Sequence, residues 1–321
     1  MKRLRTYARI YTRAARSLGL RTTQINDQTV DITYRNTTIR FYYAMNSLND
    51  SVAASLSQNK SGTNALLRRA RLPVFDQAWF SRHTRKSIKD YIKKIHYPVV
   101  VKPASGLQGH GITVNVRDEQ TLTFAIDHAF EYGQRVIIEK YYPGTDYRVL
   151  ICQDKVLALT HRLPAQVIGD GIHTIEELIN HANEILPKKI LLDQEIKNRL
   201  REHDATLHTI LEPGQQVVLR YRANAALGGT TINIDPKQAH PDNLRACIKA
   251  VHTVGLKLAG VDFMTTDITQ SYLKTKGGIT EINHNPAIDI HSNASNPITN
   301  IAEQVVQILF GMKRALPKKR V

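Results

Sequence analysis

Asp262, Glu281 and Asn283 are the residues whose types and spacing are best suited to chemistry. An apolar run ends in Gly260-Val261-Asp262-Phe263-Met264, a polar turn containing Asp267 follows, and a second run, Gly278-Ile279-Thr280-Glu281-Ile282-Asn283, leads into Asn285-Pro286. Strand alternation puts Glu281 and Asn283 on one face. If the two runs pair as a hairpin, Asp262 faces them, and two carboxylates and an amide oxygen surround one point. All three are hard oxygen ligands, suited to Mg²⁺ held jointly by protein and phosphate. A polar hairpin with a solvated face is the plain alternative.

A second group lies upstream. Tyr97-Pro98-Val99-Val100-Val101-Lys102-Pro103 reads as a buried strand ending in Lys102, followed by a loop with Ser105, Gly106, Gly109 and Gly111 and a strand from Ile112 to Val116. Glycines let backbone N–H groups converge on an anion, and a lysine at the strand end adds a point charge. The expectation is a phosphate clasp; a glycine-rich hairpin is the alternative. No Gly-Lys-Ser/Thr closes the loop, so it is not a Walker A element. Further on, Val136-Ile137-Ile138-Glu139-Lys140-Tyr141-Tyr142 is a strand running into a polar turn, Pro143-Gly144-Thr145-Asp146-Tyr147-Arg148. Backbone groups at such an exit can read the edge of adenine. Glu139 can accept its amino proton, and Asp146 can accept from ribose hydroxyls.

The elements that position these groups follow from periodicity. Met1 to Leu20 carries six basic residues and no acid, with Leu4, Tyr11, Ala15 and Leu18 at helical spacing, and reads as a basic amphipathic surface helix. Thr22 to Ile25, Thr29 to Tyr34 and Thr38 to Tyr43 read as short strands. Ser47 to Gln58 reads as a helix with Ser47 as cap and Asp50 in its first turn. Lys60 opens another helix that ends at Leu72-Pro73, and Ser81 to Lys94 reads as a basic helix. Thr121 to Tyr132 is helical, and Val149 to Ile151 with Val156 to Thr160 form a hairpin. Arg162 to Gln216 reads as an insertion with a helix opened by a Thr174–Glu177 capping box and a second from Leu192 to Arg201. It is either structural or a substrate gate. Arg220, Arg222 and Asn224 precede Gly228-Gly229, where arginine can fork a phosphoryl group or a carboxylate. Ala239 to Leu258 and Ile301 to Met312 are helical, and Lys313 to Val321 is a basic tail.

Composition sets bounds. The 321 residues, 42% hydrophobic and 22% charged, suit a chain with a sizeable core, and no apolar run reaches membrane-spanning length. Cys152 and Cys247 are far apart and fit a reducing cytoplasm. A net charge of +16 and a pI near 9.8 point to an anionic partner.

Taken together and in this order, these segments resemble the ATP-grasp superfamily. The carrying pieces are Lys60 with its helix, Val100-Val101-Lys102-Pro103 with the glycine loop, Glu139 to Arg148, and Asp262 with Glu281-Ile282-Asn283. The stretches His161 to Ile175 and Leu219 to Thr231 are most similar to the ATP-grasp domain of cyanophycin synthetases and of bifunctional glutamate–cysteine ligase/glutathione synthetases. The likeness runs from about Lys60 to about Phe310. The large cyanophycin enzymes carry further parts on both sides of this stretch, and polymer synthesis is not expected of the chain as given.

The resemblance implies an α+β ATP-grasp fold in which two α+β subdomains clamp ATP, preceded by a short N-terminal α/β segment. The expected boundaries are residues 1–59 for that segment, 60–312 for the ATP-grasp domain and 313–321 for the tail. Within the domain, the clasp covers about 97–141 and the insertion about 163–216. The implied reaction is ATP-dependent carboxylate–amine ligation through an acyl phosphate. Lys60, Lys102, Ser105, Gly106, Gly109, Gly111, Glu139, Lys140, Tyr141, Tyr142 and Asp146 would bind ATP. Two Mg²⁺ ions, or Mn²⁺ in their place, would sit on Asp262, Glu281 and Asn283. Arg220, Arg162 and Asn224 would act on the transferring group. The substrates implied are an amine and an acidic amino acid or peptide, drawn by Arg162, Lys188, Lys189, Arg220 and Arg222. A membrane or nucleic-acid partner is not expected, and a homo-oligomer is left open. The alternatives are a kinase on the same fold and a polyanion-binding protein with a decayed ATP site.

Overall fold

The computed structural model describes residues 6–104, 111–186, 188–221, 223 and 227–312 of the chain. Helix α1 (Thr6–Ser17) lays Ala8, Tyr11, Ala14 and Ala15 on a four-stranded antiparallel sheet. That sheet is β1 (Arg21–Gln24), β2 (Thr29–Tyr34), β3 (Thr37–Tyr42) and β4 (Met45–Asn46), in that order. Tyr11 stacks on Phe41 with ring centroids 4.1 Å apart. The helical spacing in the sequence thus marks a buried seam, with Arg9, Arg13 and Arg16 on the exposed side. Helix α2 (Ser51–Gln58) starts later than expected, because Asp50 rather than Ser47 is its cap, accepting from the Ala53 N–H at 2.8 Å. An aspartate there satisfies an orphan donor and suits the positive end of the helix dipole. Asn59 then caps α3 (Lys60–Arg69) through the Gly62 N–H.

The next unit comprises β5 (Gln77–Ser81), α4 (Ile88–Ile95), β6 (Val99–Pro103), β7 (Thr113–Val116), α5 (Glu119–Glu131) and β8 (Arg135–Lys140). Its sheet runs β5-β8-β6-β7, so it takes a strand from upstream of residue 97. The expected helix from Ser81 begins only at Ile88, after a short 3-10 turn. Val99, Val101, Ile138, Ile92 and Ile126 form the core of this unit.

A five-stranded antiparallel sheet positions the remaining chemistry. In chain order it brings β9 (Thr145–Cys152) and β10 (Lys155–Leu163), then an insertion made of β11 (Gln166–Ile168), α6 (Ile175–Ile185), α7 (Gln194–Glu202) and β12 (Gln216–Val218). After β13 (Thr230–Ile234) come α8 (Pro241–Val254), β14 (Leu258–Thr265), α9 (Tyr272–Thr275), β15 (Gly278–Asn283), α10 (Asp289–Ser292) and α11 (Ile301–Leu309). The sheet order is β13-β10-β9-β14-β15. One face, with Val149, Ile151, Val261 and Phe263, packs under α3 and α8. Leu150, Cys152, Ala158 and Leu258 on the other face share a core with α1, the first sheet and α11. Each Val, Ile, Leu or Phe among them contributes about 1.5–3 kcal/mol when fully buried. The insertion has its own core around Ile175, Ile179, Ile196, Leu200 and Leu211, and α6 opens with the expected Thr174–Glu177 capping box. No helix among the described residues is long and apolar enough to cross a membrane.

Candidate active site

The face of the central sheet that is apolar beneath α11 turns polar toward the other end of the strands. Register explains how. Glu281 lies opposite Asp262, Asp262 opposite Arg148, Arg148 opposite Thr160 and Thr160 opposite Asn233. Directly opposed residues share a face, so one rung of five polar side chains crosses all five strands. A neighbouring rung sets Arg162 opposite Asp146. Thr145 to Arg148, read from the sequence as a turn, is the start of β9, and this is what aims Asp146 and Arg148 at the rung.

Asp262 is the centre of this array. It is 6% exposed. Arg148 donates from Nε at 2.5 Å and from a terminal nitrogen at 3.3 Å, and Arg162 approaches the same carboxylate at 2.9 Å. Arg162 also holds both oxygens of Asp146 at 2.7 Å. Burial opposes the charge on Asp262, but the two guanidiniums outweigh it and hold its carboxyl below the usual range. Asp146 is pushed the other way, by burial and by the neighbouring charge of Asp262 against the pull of Arg162. Arg148 lies over Gly260, where a Cβ would stand 2.8 Å from its guanidinium nitrogen, so a side chain there would displace the arginine. Glu281 is half-buried, and its carboxylate has no hydrogen bond or ion pair among the described residues. The Asn283 Nδ2 is buried without a partner among them.

These groups line a cavity of about 730 Å³ whose opposite wall comes from the β6–β8 sheet. Its size falls in the range of small-molecule sites. Lys102 projects into it from the end of β6 and donates to Glu139, which is 8% exposed, at 2.8 Å. Lys140 is tied to the carbonyls of His96 and Tyr97, each at 3.0 Å, and the Tyr141 N–H bonds to the Pro98 carbonyl. The Tyr142 hydroxyl donates to the Thr275 carbonyl at 2.5 Å, which links this sheet to the β14–β15 connection. Lys60, at the start of α3, reaches the same cavity. Gly111 has φ +70°, and a Cβ there would meet the Tyr132 ring at 2.6 Å, so no other residue fits.

The chain is similar to several known proteins. The family model for the D-ala D-ala ligase C-terminus matches residues 66–213. The cyanophycin synthetase of Crocosphaera subtropica is 33% identical over 273 residues, which is 81% of this chain and 31% of that protein. The glutathione biosynthesis bifunctional protein of Pasteurella multocida is 27% identical over 281 residues, 83% of this chain and 37% of that protein. The crystal structure of a bifunctional glutathione synthetase from Pasteurella multocida matches with a TM-score of 0.64 at 25% identity, over 91% of this chain and 42% of that chain. The chain belongs to the ATP-grasp superfamily. It spans about a third of the length of the curated cyanophycin synthetases it matches.

The ATP-grasp cavity brings together Lys60, Lys102, Glu139, Lys140, Tyr141, Tyr142, Asp146, Arg162, Arg220, Asp262, Glu281 and Asn283. Ser105, Gly106, Gly109, Arg222 and Asn224 lie outside the described residues. Two expectations meet a different environment. Asp146, read as free to accept from a ribose, has both oxygens engaged by Arg162. Arg220, read as an open fork, is 2% exposed and pairs with Asp193 at 2.8 Å, Glu195 at 2.7 Å and the Leu191 carbonyl at 2.9 Å. Lys188 and Lys189 are exposed and do not line the cavity.

Sequence reasoning gave Arg148 no role, although it alternates with Tyr147 and Val149 in a strand-like pattern. It also passed over the end of the rung. There the Thr160 hydroxyl donates to Asn233 Oδ1 and contacts His291 Nδ1, both at 2.6 Å, and Asn233 Nδ2 donates to the His291 carbonyl. With the hydroxyl proton spent on Asn233, His291 donates from Nδ1, and its Nε2 has no partner among the described residues.

Burial, with the nearby charge of Arg148, pushes the His291 ring down to about 3, so it folds neutral. An unfolded histidine titrates near about 6.5. Below that pH the unfolded chain binds a proton that the folded chain refuses, and stability falls as the pH drops. His291→Gln is expected to flatten the slope of unfolding free energy between about pH 6.5 and 5 by up to about 1.4 kcal/mol per pH unit. Urea unfolding across that window measures it; an unchanged slope would show that the ring titrates normally in the fold.

Proposed function

We propose that the chain is an ATP-dependent carboxylate–amine ligase that forms an amide through an acyl phosphate, acting on an acidic amino acid or small acidic peptide. The observation that carries this reading is one cavity lined by two cations, Lys60 and Lys102, and by the carboxylates of the polar rung, Asp262 and Glu281. A carboxylate does not accept an amine directly. Phosphorylation by ATP turns it into an electrophile, and phosphate leaves when the amine attacks. Such a reaction asks for positioning and charge neutralisation more than covalent help from the protein.

In this reading Lys60 and Lys102 hold phosphate oxygens, and the Glu139 to Tyr142 segment receives the base. The donors present fit a hard divalent cation. Glu281 offers a free carboxylate, Asn283 an amide, and Asp262 a carboxylate shared with two guanidiniums. They would hold two Mg²⁺ ions, with Mn²⁺ as substitute, which when bound neutralise the phosphates in transit. Arg148 and Arg162 fix Asp262 and supply positive charge beside the reacting centre. Cys152 and Cys247 are both buried free thiols, in keeping with a cytoplasmic setting.

The test is ADP release with MgATP and a panel of amino acids and small acidic peptides, each with and without amines. Release that requires both acid and amine is expected. Release without dependence on any acid–amine pair would count against ligation, and a stable phosphorylated acid formed without amine would indicate a kinase. Lys102→Met keeps the packing stem and drops the charge. It is expected to raise the Kd for ATP by about 10–100-fold, the size of a lost charged hydrogen bond, and to weaken adenosine far less. Equal losses for both ligands, read by calorimetry, would place Lys102 away from the phosphates.

A further inference from the structure

The insertion reaches the cavity through helix α7, and the way it is mounted is specific. Glu195, in the first turn of α7, accepts from the Arg220 guanidinium at 2.7 Å and from the Tyr221 N–H at 3.1 Å. Asp193, the N-cap of α7, pairs with the same Arg220. The helix is therefore clamped to the 220–221 segment at its start. Arg199 sits one turn on from Glu195, on the same face. That places its guanidinium 4.6 Å from the centroid of the Tyr221 ring, and both side chains line the cavity that holds Lys102 and Asp262. Arg199 donates to Glu202 at 2.5 Å and contacts His203 Nε2 at 3.1 Å, while its Nε is buried with no hydrogen-bond partner among the described residues. Glu202 is also the acceptor of the Tyr221 hydroxyl.

We propose that Arg199 is a specificity-determining residue that binds a second carboxylate of the acid substrate, the one that is not phosphorylated, with Glu202 as its stand-in when substrate is absent. Three observations support it. A planar guanidinium stacked on an aromatic ring is preorganised for bidentate carboxylate recognition. Its buried Nε lacks a hydrogen-bond partner among the described residues. The carboxylate it now holds comes from a side chain that is itself 39% exposed and can turn to solvent. Arg220 is on this account a positioning residue, which sets Arg199 by fixing α7. The inference rests on the ligase reading for the identity of the ligand as a substrate, but its binding test does not depend on turnover.

The experiment uses the whole chain with Mg²⁺ and a non-hydrolysable ATP analogue. Calorimetry compares L-aspartate and L-glutamate with L-asparagine and L-glutamine. Wild type is expected to prefer a dicarboxylate over its amide by at least about tenfold, the effect of a charged hydrogen-bond pair. Arg199→Gln should abolish that preference while the Kd of the ATP analogue and of the amides stays put, and Arg199→Lys should restore part of it. Glu202→Gln should tighten the dicarboxylate, because a competitor is gone. A wild type without preference, a preference that survives Arg199→Gln, or an equal weakening of every ligand would each overturn the proposal. Loss of the preference in Arg199→Gln together with no acid-dependent ADP release would leave the subsite standing and remove the ligase reading. Turnover with an untouched preference would do the reverse.

Discussion

Glu281→Gln is expected to cut turnover by about 10²–10³-fold while the fold and its thermal stability stay intact, the loss that follows removal of one preorganised charge contact at a reacting centre. The reason for choosing Glu281 is what surrounds it. Its carboxylate is half-buried at the edge of the polar rung and engages no described side chain, so an amide of the same shape orphans no buried partner. What the substitution takes away is a negative charge facing the cavity, which matters only when a cation is to be held there. Steady-state rates across a Mg²⁺ series measure it, with circular dichroism as the folding control. Near-normal activity at saturating Mg²⁺ would sink the assignment of Glu281 as a metal ligand.

Arg148→Met should behave in the opposite manner, losing stability as well as activity. It removes one of two guanidiniums from a buried carboxylate 114 residues away in sequence. Breaking a buried ion pair from one side typically costs about 3–5 kcal/mol, and the surviving Arg162 contact points to the lower end. Adding Asp262→Leu removes the stranded charge, so the double variant should lie well above the sum of the two single losses. The pH dependence carries the same information. Asp262 folds with its carboxyl below the usual range, so its contribution is present above the unfolded value of about 3.9 and fades as the pH falls further. Arg148→Met should shrink that acid-side slope. Denaturant unfolding of the four species at neutral and acid pH measures both effects; strict additivity would mean that Arg148 and Asp262 are not coupled.

Local pattern made the hairpin of β14 and β15 legible in the sequence, because alternation across Asp262, Glu281 and Asn283 needs only the identities of neighbours. The same holds for the capping box at Thr174 and the strand that ends in Lys102. What local pattern hid was register between distant strands. That Arg148 meets Asp262, or Arg162 meets Asp146, depends on how β9 pairs with β14 and β10. Polar composition made Thr145 to Arg148 look like a turn, and sheet pairing overrode it. Arg220 was misjudged for a related reason. An arginine near a glycine pair looks free until α7 arrives with two carboxylates at its start. At Ser47 and Asp50 two good capping residues competed three positions apart, and the one whose oxygen reaches the Ala53 N–H won.

Following an oxygen atom tests the central claim most directly. If a carboxylate oxygen attacks the γ-phosphorus of ATP, that oxygen leaves with inorganic phosphate when the amine displaces it. The best acid from the ADP-release panel, labelled with ¹⁸O in its carboxyl groups, is turned over with MgATP and its amine, and the phosphate is analysed by mass spectrometry or by the ³¹P isotope shift. The account predicts one ¹⁸O transferred to phosphate for each amide formed, with ADP as the nucleotide product. Amide formation with unlabelled phosphate, or release of AMP and pyrophosphate, would contradict it.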